Sequence, residues 1–137
     1  MKNQIRNFWI GAGLTALLWC PFLKAQNRET AEIPFDFHAG QSTLPAGNYS
    51  VIKMTESGVL QLRNDETHKS ILLGAQGRET AKDDARLTFR CYSSHCFLSE
   101  ISIPGAPGYS YWKSNLEKEM AKGGAEVAMA YVPLATR

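Results

Sequence analysis

The sequence predicts a mainly β fold, an antiparallel meander of about seven strands that forms a small barrel or a sandwich, with one short helix before the last strand. Three observations lead to this prediction. Apolar and polar residues alternate with a period of two over several short segments. The early segments are joined by connections of hairpin length, too short for the helical crossovers that parallel strands need. A helical pattern of apolar residues occurs near the C-terminus.

The first predicted strand lies in "EIPFDFHAG". Ile33, Phe35 and Phe37 point to one face and the residues between them point to the other, which indicates a half-buried strand. Pro34 has no N–H to donate, so it places this strand at a sheet edge or marks the start of the strand.

The next three strands follow as hairpins. Pro45-Ala46-Gly47 has the residues of a tight turn, with Leu44 beneath it, and a second strand starts at Tyr49. The turn segments "TESG" and "NDETHK" then separate "VLQLR" from "SILLGA", and Leu60 and Leu62 share one face. A longer polar loop, "QGRETAKDDA", comes before the next hairpin.

That hairpin, "RLTFRCYSSHCFLSEISIP", contains two of the three cysteines of the chain, Cys91 and Cys96. If Ser93 and Ser94 form a two-residue loop, Cys91 sits opposite Cys96 at a non-hydrogen-bonded position, where a cross-strand disulfide can close. A three-residue loop would separate the cysteines but collect four apolar residues on one face: Leu87, Phe89, Phe97 and Ile101. A bulge in one strand reconciles the two patterns.

The segment "SNLEKEMAKGG" predicts a short helix. Ser114 at the N-cap and Glu117 three residues later form a capping box, and the helix ends at Gly123-Gly124. Trp112, Leu116 and Met120 recur every four residues, so we expect this stripe to lie on the sheet. After the helix, "EVAMAYV" alternates again and predicts the last strand: Val127, Met129 and Tyr131 against Glu126, Ala128 and Ala130.

The N-terminus predicts export. A basic start with Lys2 and Arg6, an apolar run over residues 8–19 and a cleavage point after Ala25 make residues 1–25 a signal peptide and residues 26–137 a single β-rich domain. The apolar run is too short for a membrane span. A lipid anchor on Cys20 is the other alternative, but the preceding residue is the bulky Trp19. We therefore expect a secreted or periplasmic protein without a stable membrane span after signal removal.

Charge narrows the choice of partners. Losing the three lysines and arginines of the signal lowers the 15 basic residues to 12 against 13 acidic ones, so the net charge goes from +2 to −1. A near-neutral surface does not attract phosphate backbones or anionic lipid, so no nucleic-acid or membrane partner is predicted. The cut also removes Cys20 and leaves an even pair of cysteines in an oxidising compartment.

Two reactive alternatives to the disulfide are weaker. A zinc site would need a second ligand pair, and only His38 and His68 remain to supply it. A catalytic cysteine fails because strand alternation points His95 away from Cys96. The adjacent acidic pairs lie on polar loops, and no serine stands in a nucleophile elbow. The sequence predicts no metal, no cofactor and no catalytic residue, and hence not an enzyme.

The segment "GYSYW" is the candidate binding surface. Tyr109, Tyr111 and Trp112 follow a stretch rich in glycine and proline and can form a stacking platform for a sugar or an apolar ligand. The alternative is that these aromatic side chains close one end of the core, because small domains need large apolar side chains inside.

Several segments together resemble a group of small secreted proteins of unknown function from acidobacterial-type soil bacteria: "IPFDFHAGQSTLPAGNYSV", "GVLQLRN", "LTFRCYSSHCFLSEI" and "SNLEKEMAK". The resemblance covers nearly all of the mature chain and implies a β-rich fold, but it brings no activity with it. Members of that group usually have an uncharged or basic hairpin tip, so the resemblance implies that the Cys91/Cys96 pair is a local addition.

The function predicted from these observations is a non-catalytic envelope or extracellular module that binds a protein or a cell-surface polymer. The alternative is a lipocalin-like barrel that holds a small apolar ligand, with Tyr109, Tyr111 and Trp112 at its mouth.

Overall fold

The computed structural model describes residues 28–81 and 83–136, which form twelve strands and one helix. The predicted signal peptide, residues 1–25, lies outside the described residues. The strands belong to two sheets, and neither sheet closes on itself within the described part of the chain. The mainly β prediction is thereby confirmed, and of the two predicted arrangements the protein has the sandwich.

The first sheet is antiparallel throughout and contains the predicted hairpins. Leu60 pairs with Leu73, and Leu62 pairs with Ile71, so the alternating apolar residues of neighbouring strands meet on the inner face. In spatial order the strands are β12 (Ala135–Thr136), β1 (Arg28–Ile33), β4 (Gly47–Lys53), β5 (Val59–Asn64) and β6 (Ser70–Gly74).

The second sheet is built around the cysteine hairpin. Its main path, in spatial order, is β11 (Val127–Pro133), β8 (Arg86–Tyr92), β9 (His95–Ser102), β10 (Gly108–Ser110) and β7 (Gly77–Glu79). A small hairpin of β2 (Phe37–Ala39) and β3 (Ser42–Leu44) joins this sheet where β2 runs parallel to the start of β9. The short strand β7 lies within the segment that the sequence predicts as a polar loop.

Aromatic rings from both sheets interlock in the core. The ring of Phe37 lies 5.2 Å from that of Tyr49 in the first sheet and 5.4 Å from that of Phe89 in the second, both edge to face. Phe35 adds a third edge-to-face contact, 5.1 Å from Phe89. Such pairs stabilise a core beyond the burial of their area. The space between the sheets is therefore filled by side chains.

The chain crosses from one sheet to the other at Pro34. The predicted alternation holds, because Ile33 and Phe37 are buried and Phe35 is partly buried. The prediction of a single strand was wrong: β1 ends at Ile33 in the first sheet and β2 begins at Phe37 in the second. Asp36, inside the crossing, accepts a hydrogen bond from the N–H of Ala46 (2.9 Å) and ties it to the next turn.

The cysteine hairpin has the predicted two-residue loop, disulfide and bulge. Tyr92 pairs with His95, and Cys91 is bonded to Cys96 with their Cα atoms 4.0 Å apart. Ser99 is the extra residue of the bulge, since Phe89 pairs with Leu98 while Thr88 pairs with Glu100. The bulge turns Glu100 outward and keeps Leu98 and Ile101 inside. Closing so short a loop contributes about 2 kcal/mol by chain entropy.

The helix α1 (Asn115–Lys122) begins at the predicted cap, where Ser114 accepts a hydrogen bond from the N–H of Glu117 (3.2 Å). It ends at the predicted glycines, with Gly124 at φ +78°. The predicted apolar contact with the sheet was wrong, because Trp112 and Leu116 are 71% and 49% exposed. The buried helix residue is Glu117 instead. No helix in the described residues is both long and apolar enough to cross a membrane.

Candidate functional site

The three candidate aromatic residues separate in the structure. Tyr109 points inward from β10 and is 1% exposed, and Tyr111 is 8% exposed, so both belong to the core. Burial raises the pKa of the Tyr111 hydroxyl above its ordinary value, with a smaller effect of Tyr109. Trp112, in contrast, projects into solvent. Of the predicted platform, Trp112 alone offers a ring face to a ligand.

Trp112 stands at the rim of a groove of about 460 Å³ on the outer face of the second sheet. We call it the outer groove. Its floor follows the strand register, in which Thr88 lies opposite Glu100 and Glu100 lies opposite Ser110. Met129 of β11 forms the side opposite Trp112. The remaining lining residues are Glu79, Arg90, Ser99, Tyr111 and Lys113.

The floor of the outer groove is polar. The Glu100 carboxylate accepts a hydrogen bond from the Ser102 hydroxyl (3.0 Å). Thr88 is 5% exposed, and its Oγ1 has no hydrogen-bond partner among the described residues. A buried hydroxyl without a partner is destabilising, so it favours a ligand or a water molecule that supplies one. The groove therefore combines an exposed indole ring with hydroxyl and carboxylate groups.

A partly buried ion pair holds the rim in place. Arg90 Nη2 donates both to Glu117 Oε2 (3.0 Å) and to the backbone carbonyl of Tyr111 (3.3 Å). The Tyr92 hydroxyl donates to Glu117 Oε1 (3.1 Å). One guanidinium thus joins the sheet, the helix and the segment that carries Trp112. Sequence reasoning missed this contact because Glu117 matched a capping box, which accounts for its spacing from Ser114 but not for its partner.

A second cluster brings two of the three histidines together. His38 Nε2 lies 3.2 Å from His95 Nδ1, and His38 Nδ1 lies 3.0 Å from the Thr43 hydroxyl. The planes of the two histidine rings are 16° apart, and their centroids are separated by 5.4 Å. This separation is close to the 3.2 Å between His38 Nε2 and His95 Nδ1 plus one ring radius for each histidine. The rings therefore face each other edge to edge in a shared hydrogen bond, with Phe97 stacked on His38 at 4.6 Å. His68 lies elsewhere, beside Arg63.

This cluster does not bring a carboxylate or a thiolate to the histidines. Both cysteines are consumed by the disulfide, so neither supplies a nucleophile or a metal ligand in this state. Among residues 28–81 and 83–136, no group of three or more histidines, cysteines or carboxylates is placed to hold a metal ion. The histidine contact arises from the parallel pairing of β2 with β9, for which the sequence holds no local signal.

No protein-family model, no curated protein and no solved structure matches this chain. The resemblance to small secreted proteins of soil bacteria stays a prediction.

Proposed function

We propose that this chain is an exported, non-catalytic binding module that holds a cell-surface polysaccharide in the outer groove. The observation that carries the proposal is Trp112, which is 71% exposed beside a floor of hydroxyl and carboxylate groups. The exposed indole lies beside groups that can form hydrogen bonds, so one ligand can stack on the ring and bond to the floor at the same time.

Sugars fit both parts of the groove. A pyranose ring has a face of C–H groups that packs on an indole, and its hydroxyls donate and accept hydrogen bonds. Glu100 and Ser110 can accept such donors, and Thr88 gains the partner that it lacks. A small apolar ligand, the alternative function, fits less well because this floor is polar and the interior between the sheets is filled.

The proposal is tested by mixing the purified chain with insoluble peptidoglycan, cellulose or chitin. The fraction of protein removed from solution by each polymer measures binding. We expect the chain to bind at least one of these polymers without releasing soluble sugar. Trp112→Ala should weaken that binding by about fivefold, since a stacked aromatic contact contributes on the order of 1 kcal/mol. Leu72→Ala is the matched control, because Leu72 is 64% exposed on the other sheet.

Thr88→Val separates binding from folding. The valine keeps the shape of the side chain and removes a hydroxyl that has no internal partner, so the free energy of unfolding should stay equal or rise. Polysaccharide binding should nevertheless fall. Binding to none of the three polymers, or an equal loss in the Leu72 control, would refute the proposed function.

A further inference from the structure

The backbone that leads to the exposed Trp112 stays bound beyond the end of its strand. β10 ends at Ser110, whose carbonyl accepts a hydrogen bond from the N–H of Gln76 (3.0 Å). The N–H of Tyr111 donates to the carbonyl of Ser99 in β9 (2.9 Å). Segments on both sides of β10 therefore hold this backbone as far as Tyr111.

The next peptide group, between Tyr111 and Trp112, is bound by two side chains. Its carbonyl accepts a hydrogen bond from Arg90 Nη2 (3.3 Å), and its N–H donates to Gln76 Oε1. The C=O and N–H of a trans peptide point in opposite directions, so Arg90 and Gln76 bind it from opposite sides. We call this pair of contacts the peptide clamp. Gln76 lies 36 positions before Trp112 in the chain, so the folded sheet brings them together.

The peptide clamp leaves Trp112 little backbone freedom. Arg90 is itself fixed by the buried carboxylate of Glu117 (3.0 Å). On the other side of Trp112, Lys113 alone separates it from Ser114, whose hydroxyl caps the helix. The backbone of an exposed residue is thus held on both sides, and the indole moves mainly about its two side-chain torsions.

We propose that Gln76 is a positioning residue of the binding site: with Arg90, it holds Trp112 in place before a ligand arrives. A mobile aromatic residue loses its motion on binding, which weakens affinity, whereas a residue ordered in advance avoids this loss. Because Trp112 is 71% exposed, ordering its backbone adds little to the packing of the core and instead prepares the ring for a ligand. The positioning role rests on the proposed function, but the clamp itself is tested without a ligand.

Two substitutions of Gln76 separate its hydrogen bond from the bulk of its side chain. Gln76→Leu removes the acceptor for the Trp112 N–H, and Gln76→Glu keeps an oxygen at the same position. Gln76 is exposed, so both variants should fold, which thermal unfolding verifies. In amide hydrogen exchange measured by NMR, we expect the Trp112 N–H to exchange at least about tenfold faster in the leucine variant and at nearly the parent rate in the glutamate variant.

The fluorescence of Trp112 reports the motion of its ring directly. The other two tryptophans of the chain, Trp9 and Trp19, lie in the predicted signal peptide, so residues 26–137 contain Trp112 alone. We expect additional nanosecond motion in the anisotropy decay of the leucine variant and not in that of the glutamate variant. A polymer that the parent chain binds should bind the leucine variant about fivefold more weakly, the equivalent of one hydrogen bond. It should bind the glutamate variant like the parent chain.

Gln61→Leu is the matched control, because it removes a side-chain amide that donates to Ser70 on the first sheet and should change none of these measurements. The clamp is refuted if the leucine variant keeps the parent exchange rate and anisotropy, or if the glutamate variant behaves like the leucine variant. A mobile ring with unchanged polymer binding refutes the positioning role alone. Failure of the parent chain to bind any polymer refutes the proposed function and the positioning role with it, while exchange and anisotropy still decide on the clamp.

Discussion

At the scale of single residues, His38 shows how the fold determines protonation. Its two ring nitrogens are engaged by Thr43 and His95, and its face is covered by Phe97. The pKa of His38 is lowered from its ordinary value of 6.5, first by burial and second by the neighbouring His95. The neutral ring is favoured in the folded protein.

We therefore expect acid to destabilise the protein through His38. Since the unfolded chain takes up the His38 proton more readily, the free energy of unfolding is unaffected by this group above pH 6.5 and decreases as the pH falls from 6.5 toward the lowered folded pKa. Urea unfolding between about pH 7 and pH 5 measures this slope, and His38→Asn should flatten it.

Leu72→Asn is the control for this prediction. Leu72 is 64% exposed and carries no titratable group, so its replacement should leave the pH slope unchanged. An unchanged slope in the His38 variant would contradict the assignment.

At the scale of elements, the helix is attached by charge and not by an apolar stripe. Glu117 is 1% exposed and contacts Arg90 and Tyr92, whereas Leu116 on the same helix is half exposed. A carboxylate at this depth requires its partner. The helix position, and with it the rim of the outer groove, depends on this one ion pair.

Glu117→Gln should lower the free energy of unfolding by about 3 kcal/mol, because it leaves the Arg90 guanidinium partly buried without a counter-charge. The double variant Glu117→Leu with Arg90→Leu should be more stable than the single variant, since it removes both charges. Urea unfolding of both proteins provides the comparison. A loss below about 1 kcal/mol in the single variant would show that the pair acts as a solvent-exposed one.

At the scale of the whole molecule, the two sheets share one core, and the described chain passes between them four times, after β1, β3, β6 and β11. The first crossing is at Pro34, and the last is at Leu134, between β11 of one sheet and β12 of the other. Leu134 is 9% exposed and packs in the common core. We expect the sheets to unfold together.

Leu134→Ala tests this cooperativity. The truncation leaves a cavity where the sheets meet and should lower the free energy of unfolding by about 2–3 kcal/mol, while far- and near-ultraviolet circular dichroism still report one coincident transition. Leu72→Ala should change it by less than about 0.5 kcal/mol, since Leu72 is on the surface. Two separate transitions in the Leu134 variant would contradict a shared core.

Much of the local structure follows from neighbouring residues. Alternation places Leu60 and Leu62 inside, the Ser93-Ser94 loop places Cys91 opposite Cys96, and the cap and the glycines place both ends of the helix. These features depend on backbone preferences and on side chains a few positions apart, which is why the sequence predicts them.

The sequence by itself determined the strands of the long hairpins, the cross-strand disulfide and the helix, but not β7, which lies in a predicted loop. The tertiary structure alone decided that Pro34 separates two sheets, that β2 joins β9 in parallel, and that Glu117 pairs with Arg90. It also buried Tyr109 while exposing Trp112 three residues later. These outcomes depend on contacts between residues far apart in the chain, and an alternating pattern shows that a strand has two faces without showing which neighbour covers each.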